Sequence, residues 1–147
     1  MSDLDGPIAR ECVEGYLFSD PPLEVLIFRR PPARGRIWVP VSGKVEPDDR
    51  DFPSALCREV AEETGLRLEP ADLIDLAWQV PFRADNGEVW RLHAFAARVP
   101  RAFVPRLSSE HEAAEWVGAE EAIGRLHFED NRAAVIRLRD QIARTAP

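Results

Sequence analysis

The segment Arg58-Glu59-Val60-Ala61-Glu62-Glu63-Thr64-Gly65-Leu66 constrains this chain more than any other. Read as a helix, it places Glu59, Glu62 and Glu63 at i, i+3 and i+4, so that three carboxylates share one face. Like charges at that spacing repel and destabilise the helix unless a cation lies among them. Mg2+ is the natural candidate, a hard ion held by a few carboxylates together with the phosphate oxygens of a substrate. Mn2+ prefers the same oxygen ligands and is the expected substitute. Such a run is also an ordinary solvated helix face, but its setting argues for more. Gly43-Lys44-Val45-Glu46 forms a turn before the helix, Arg58 stands beside the carboxylates, and Gly65 supplies a stop.

The surrounding pattern predicts a mixed α/β layout and not a repeating βαβ. Residues 52–64 read as the clearest helix, with Pro53 in its first turn, Leu56 and Val60 four apart beside Ala55, and Gly65 at C′. Residues 10–18 and 23–30 read as strands joined by Ser19-Asp20-Pro21-Pro22, and residues 31–35 as a loop. Residues 37–41 form a short strand leading into Gly43, and residues 47–51 an acidic loop. Two further strands, 73–83 and 88–99, are joined by Asp85-Asn86-Gly87, a strong hairpin signal. A short strand over 114–117, a short helix over 120–126 and a terminal helix over 130–144, with Ala134, Leu138 and Ile142 four apart, complete the chain. Trp78, Phe82, Trp90 and Phe95 lie on the paired strands and are expected in the core.

Residues 1–147 are expected to form one domain, since 45% hydrophobic content is enough for a single core. No apolar run is long enough to span a bilayer, and residues 1–6 lack the basic-then-apolar layout of a secretory signal, so a cytoplasmic location without membrane contact is expected. Cys12 and Cys57 make neither a disulfide framework nor a zinc cluster and read as buried small apolar residues. A net charge of −7 disfavours a nucleic-acid polymer as partner. It leaves room for a small phosphorylated, nucleotide-like ligand, because bound divalent cations reverse the local sign. A monomer or a homodimer is expected.

Taken together, Gly43 and the run from Arg58 to Leu66 resemble the signature of the Nudix hydrolases: Gly, five residues, Glu, seven residues, Arg-Glu, an aliphatic, any residue, Glu-Glu, any residue, Gly, an aliphatic. The run from Arg58 to Leu66 matches without exception, but the stretch from Gly43 to Arg58 is one residue longer than the pattern. The Glu of the pattern falls on Asp49 counted forward and on Arg50 counted back, which leaves Asp49 or Asp51 to brace Arg58. The resemblance implies a Nudix-type α/β/α sandwich with a mixed central sheet. It implies Mg2+-dependent hydrolysis of a nucleoside diphosphate linked to a further group. Glu62 and Glu63 would be the principal metal ligands and the Gly43 carbonyl another. Glu59 would be a ligand or the group that orients or deprotonates the attacking water, and Arg58 would hold the carboxylates in place.

Further residues resemble one subgroup, the dihydroneopterin-triphosphate and dATP pyrophosphatases. Glu110-His111 followed by Trp116 suggests Glu110 as an additional metal ligand, with Glu112 its competitor and His111 either a general base or an idle loop residue. Trp38, in Trp38-Val39-Pro40-Val41-Ser42-Gly43, would stack on a base or pterin or pack in the core. Asp130-Asn131-Arg132-Ala133 opens the last helix as in that subgroup. Arg29 and Arg30 would meet phosphate at a strand end. The expected substrate is therefore a nucleoside or pterin triphosphate, cut to release pyrophosphate. Pro81 instead fits ADP-ribose or nucleotide-sugar hydrolases, and Phe82 stands where many dinucleoside polyphosphate hydrolases carry tyrosine. A non-catalytic nucleotide-binding regulator is the reading from another class, and the retained Glu59, Glu62 and Glu63 argue against it.

Overall fold

The computed structural model describes residues 4–145; residues 1–3 of the acidic start and the last two residues of the single-domain reading lie outside them. Among the described residues the strands are β1 (Arg10–Ser19), β2 (Glu24–Arg29), β3 (Trp38–Val39), β4 (Val41–Lys44), β5 (Leu73–Arg83), β6 (Val89–Arg98) and β7 (Ala113–Gly118). The α-helices are α1 (Phe52–Thr64), α2 (Ala119–Arg125) and α3 (Glu129–Thr145). None of these helices is long and apolar enough to cross a membrane.

All seven strands join one mixed sheet with the path β3-β2-β1-β6-β5. The long central strand β1 runs parallel to β6, from Arg10 opposite Trp90 to Phe18 opposite Arg98. Its other edge is divided: the end near Leu17 pairs antiparallel with β2, while Cys12–Gly15 pair antiparallel with β4. Paired with β1 in this way, β4 passes beside α1 and sets Gly43 against Glu59 of that helix. The predicted strand over 37–41 is accordingly interrupted at Pro40, which cannot donate to a ladder, and continues as β4. The loop expected at 31–35 holds a 3-10 turn over Pro32–Arg34.

Alternation along β1 sends its side chains into two cores. On one face Tyr16 and Phe18 pack with Val25, Ile27, Val117, Leu126, Ala134 and Leu138 under α2 and α3. On the other, Val13 and Leu17 pack with Leu26, Phe28, Val41, Leu56 and Val60 under α1. A helix layer on each face of a mixed sheet is the expected α/β/α sandwich. Gly15 permits the close seating of α1, since a Cβ there would lie 2.9 Å from Leu56 Cδ2. Phe95 is buried, whereas Trp78, Phe82 and Trp90 are only half-buried on the β5–β6 pair. Cys12 is buried as expected; Cys57 is half-buried on α1 beside the helix surface, and both are free thiols.

Candidate active site

Helix α1 is held by its ends. Asp51 caps it, its carboxylate accepting from Ser54 N at 2.8 Å, and Pro53 lies in the first turn, where its missing N–H is no loss. At the other end Gly65 adopts φ 80°, and its N–H closes the helix on Ala61 O at 3.0 Å. The buried face carries Ala55, Leu56, Val60, Glu63 and Thr64. Glu63 is thus a carboxylate at a core-facing position, 3% exposed.

Arg58 organises the loop and the helix face. Its Nε and Nη2 donate to the two oxygens of Asp49 at 3.0 and 2.8 Å, and Nη2 also donates to Lys44 O at 3.0 Å. Its Nη1 donates to Glu59 Oε1 at 3.0 Å and reaches both Glu62 oxygens at 3.4 Å, with Glu46 3.3 Å away. Glu59 lies directly over the Gly43 backbone: a Cβ on Gly43 would fall 2.1–2.5 Å from its carboxyl group. Only glycine leaves that space.

Burial raises the pKa of Glu59, while its hydrogen bonds to Glu63 and Arg58 oppose the rise. Glu63 is pushed up to about 10 by burial, by that hydrogen bond and by the charges of Glu59, Glu110 and Glu62. Two adjacent carboxylates in a dry site cannot both stay ionised without a counter-charge, so they share a proton. His111, 6% exposed, brings Nδ1 to 3.7 Å from Glu63 Oε1 and packs its ring against Phe28 with centroids 5.0 Å apart. Burial, with the charges of Arg30 and Arg34, lowers its pKa to about 4, so the imidazole is neutral at physiological pH.

The family model of the NUDIX domain matches residues 13–138. The chain belongs to the NUDIX family. It is 36% identical over 120 residues to an octanoyltransferase of Myxococcus xanthus, a match covering 80% of this chain and 32% of that protein. The chain therefore spans about a third of that relative's length. It is 34% identical over 104 residues to the asymmetrical bis(5'-nucleosyl)-tetraphosphatase of Mus musculus, covering 67% of each. Among solved structures, the dihydroneopterin triphosphate pyrophosphohydrolase of E. coli aligns with a TM-score of 0.75 and 22% identity, covering 95% of this chain and all 100% of that one, which speaks for the fold.

The Nudix fold gathers some of the anticipated residues and separates others. Glu59, Glu63 and Gly43 converge under Arg58. Glu62, on the same helix, has a side chain 58% exposed and turns toward Arg58. Glu110 stands at the rim, 3.7 Å from Arg34, with its charge acting on Glu63; Glu112 is instead engaged by Arg29 at 2.6 Å and Arg36 at 2.9 Å. Arg29 is thereby tied to Glu112, while Arg30 lies within electrostatic reach of Glu63 and Glu110 and over the exposed ring of Phe128 at 5.8 Å. Trp38 packs against the α2–α3 core, with Arg125 4.3 Å and Arg29 5.5 Å from its ring. Sequence reasoning missed Arg34, Phe128 and the burial of His111. These come from loops whose return to the site leaves no periodic trace.

Among the described residues no group of three His, Cys, Asp or Glu side chains is drawn together tightly enough to hold an ion unaided. The donor set nonetheless fits a hard divalent cation. Glu63 Oε2 is buried without any hydrogen-bond partner, and Glu59 is cradled against the one position where a Cβ would collide with it. A magnesium ion ordinarily takes one or two protein carboxylates and completes its shell with water and phosphate oxygens.

Proposed function

We propose that this protein is a Mg2+-dependent pyrophosphohydrolase acting on a nucleotide with three or more linked phosphates, a nucleoside or pterin triphosphate in the first instance. The observation that carries the reading is the buried Glu63 carboxylate, with its unpartnered Oε2, beside Glu59 at the Gly43 turn. Such a group costs several kcal/mol to bury unpaired, of order 1–3 for a neutral donor or acceptor and more for a charge, so a site that retains it uses it.

Glu59, Glu63 and the Gly43 carbonyl would hold the cation, with Glu62 and Glu110 at the rim as the further ligands; Mn2+ would serve in its place. Bound there, the cation supplies charge neutralisation on the phosphates and polarises the bond that is cut. The chain's own residues do the rest. Arg58 keeps Glu59 and Glu62 aimed through charge-assisted hydrogen bonds. Glu59 orients the attacking water or accepts its proton. Arg30, within electrostatic reach of Glu63 and Glu110, and Arg34, 3.7 Å from Glu110, would meet phosphate oxygens, so that positioning and electrostatics carry the catalysis. The reading is supported by the matching NUDIX domain and by a relative named for a polyphosphate substrate, a tetraphosphatase. We place the activity in the cytoplasm, on a monomer or homodimer.

The test is kcat/KM on dATP, GTP, dihydroneopterin triphosphate, diadenosine tetraphosphate and ADP-ribose under one Mg2+ condition. Triphosphates releasing pyrophosphate fastest is the expected result. Preference for the dinucleotide keeps the three-or-more-phosphate rule and displaces the triphosphate. Preference for ADP-ribose overturns the rule, and no Mg2+-dependent turnover on any substrate marks a binding module.

A further inference from the structure

His111 is not explained by packing alone. It belongs to the β6–β7 connection, yet its imidazole is buried in the α1-side core, wedged between Phe28 and Glu63. The backbone is arranged to put it there. His111 N–H donates to Ser108 O at 3.3 Å, Glu110 N–H to Ser108 Oγ at 3.2 Å, and Glu112 N–H to Arg29 O at 2.8 Å, so the loop is turned inward at His111 and returned to β2 immediately afterwards. Its Nδ1 is buried with no hydrogen-bond partner and stands 3.7 Å from Glu63 Oε1. Two buried polar groups without partners, Nδ1 of His111 and Oε2 of Glu63, therefore lie on side chains that approach to 3.7 Å. Orphaned groups of this kind are rare and point to a use.

We propose that His111 is a positioning residue for the cation site: its Nδ1–H donates to Glu63 Oε1 and fixes the direction in which the Glu63 carboxylate faces. The inference rests on the proposed cation site and concerns how one ligand in it is held. A closure of less than about 1 Å brings the pair from 3.7 Å to ordinary hydrogen-bond length, a shift within reach of small side-chain rotations. The pair resembles in logic the outer partners that orient metal-binding side chains generally, whose loss lowers metal affinity by about 10- to 100-fold. Arg58 holds Glu59 from the exposed side of the helix, and His111 holds Glu63 from the core side, so each buried carboxylate has its own support.

The test measures Mn2+ binding by electron paramagnetic resonance, without substrate, on His111→Asn, His111→Gln and His111→Leu. The Asn side-chain amide can put an N–H where Nδ1 stands; Gln reaches toward Nε2, and Leu fills the space with no donor. Wild-type and His111→Asn proteins should bind Mn2+ with affinities within about threefold of each other, while His111→Leu and His111→Gln should bind about 10-fold or more weakly. Melting curves in chelator identify any variant that fails to fold, and the Asn–Gln contrast keeps the inference decidable if Leu does. Equal affinity across the three variants, or Gln rescuing where Asn does not, overturns the role of Nδ1. Glu63→Gln is the control for the site itself. If it binds Mn2+ like wild type, the cation site is wrong; if it loses binding while His111→Leu keeps it, only the positioning role is wrong.

Discussion

Arg58 grips Asp49 with two parallel hydrogen bonds, Nε to Oδ1 at 3.0 Å and Nη2 to Oδ2 at 2.8 Å, while Asp51, two residues on, caps the helix that carries Arg58. The two aspartates thus do different work. Asp49→Ala should lower kcat/KM about 10- to 100-fold, because Arg58 loses the partner that fixes it over Glu59 and Glu62. Asp51→Ala should keep most of the activity per folded molecule and lower the melting temperature with the loss of the cap. Activity and thermal melts on both variants decide the matter; if the two effects fall on the same variant, the division of roles is wrong.

Gly43→Ala should damage the site without touching a charged group. A Cβ there would meet the Glu59 carboxyl group at 2.1–2.5 Å, so Glu59 must leave its place. Little stability should be lost, because the colliding group is the end of a flexible side chain, but Mn2+ should bind at least about 10-fold more weakly. Wild-type metal affinity in a folded Gly43→Ala protein would remove Glu59 from the cation site.

How far the sequence carried is clearest around these residues. Helix α1 was legible to the residue, because periodic Leu56 and Val60, Pro53 in its first turn and Gly65 after its last are local signals that tertiary packing reinforces. The β5–β6 hairpin was legible for the same reason, from Asp85-Asn86-Gly87. The choice between Asp49 and Asp51 was not, since the extra residue lets either reach back and only the three-dimensional course of the turn separates bracing from capping. Pro40 was read as part of one strand, although its lack of an N–H is what divides β3 from β4. His111 looked like a loop residue because burial of a loop side chain depends on contacts with Phe28 and Glu63, more than 80 and 40 residues away, roughly counted along the chain. Sequence alone leaves Trp38 open between a stacking platform and core packing, because its neighbours in the chain suit both; its ring packs against the core with two arginines beside it.

Glu63 and Glu62 should separate in their dependence on metal. Mg2+ should raise the melting temperature of the wild-type protein relative to chelator, because the ion binds the folded form. That shift should vanish in Glu63→Gln, which removes the buried carboxyl ligand, and persist in reduced form in Glu62→Gln, whose carboxylate is exposed. Turnover should fall by orders of magnitude in Glu63→Gln. A Glu63→Gln protein that keeps both the Mg2+ shift and near wild-type turnover would refute the ligand assignment.

Stability should fall as pH rises from mildly acidic to mildly alkaline values, and Glu14, away from the candidate site, contributes to the fall along with Glu63. Its carboxyl is buried between β1 and α3, accepts from Tyr16 Oη at 2.8 Å and from Asn131 Nδ2 at 3.1 Å, and is pushed up to about 8 chiefly by burial, with the charge of Asp130 adding to the rise. In the unfolded chain the same group titrates near 4.5. Between these values the folded state keeps a proton that the unfolded state has released, so the contribution is fully present below about 4.5 and is lost as pH climbs through about 8. The buried Asn131 Oδ1 lacks a donor, and a half-turn of that amide would offer it to a protonated Glu14, a state whose extra hydrogen needs an acceptor. Glu14→Gln keeps the shape and carries N–H donors at every pH. Its melting temperature should therefore stay flatter than wild type from pH 5 to 9, with the difference growing in the variant's favour toward pH 9 by about 3 °C or more. Parallel curves for the two proteins would show that Glu14 stays ionised in the fold and that the slope has another source.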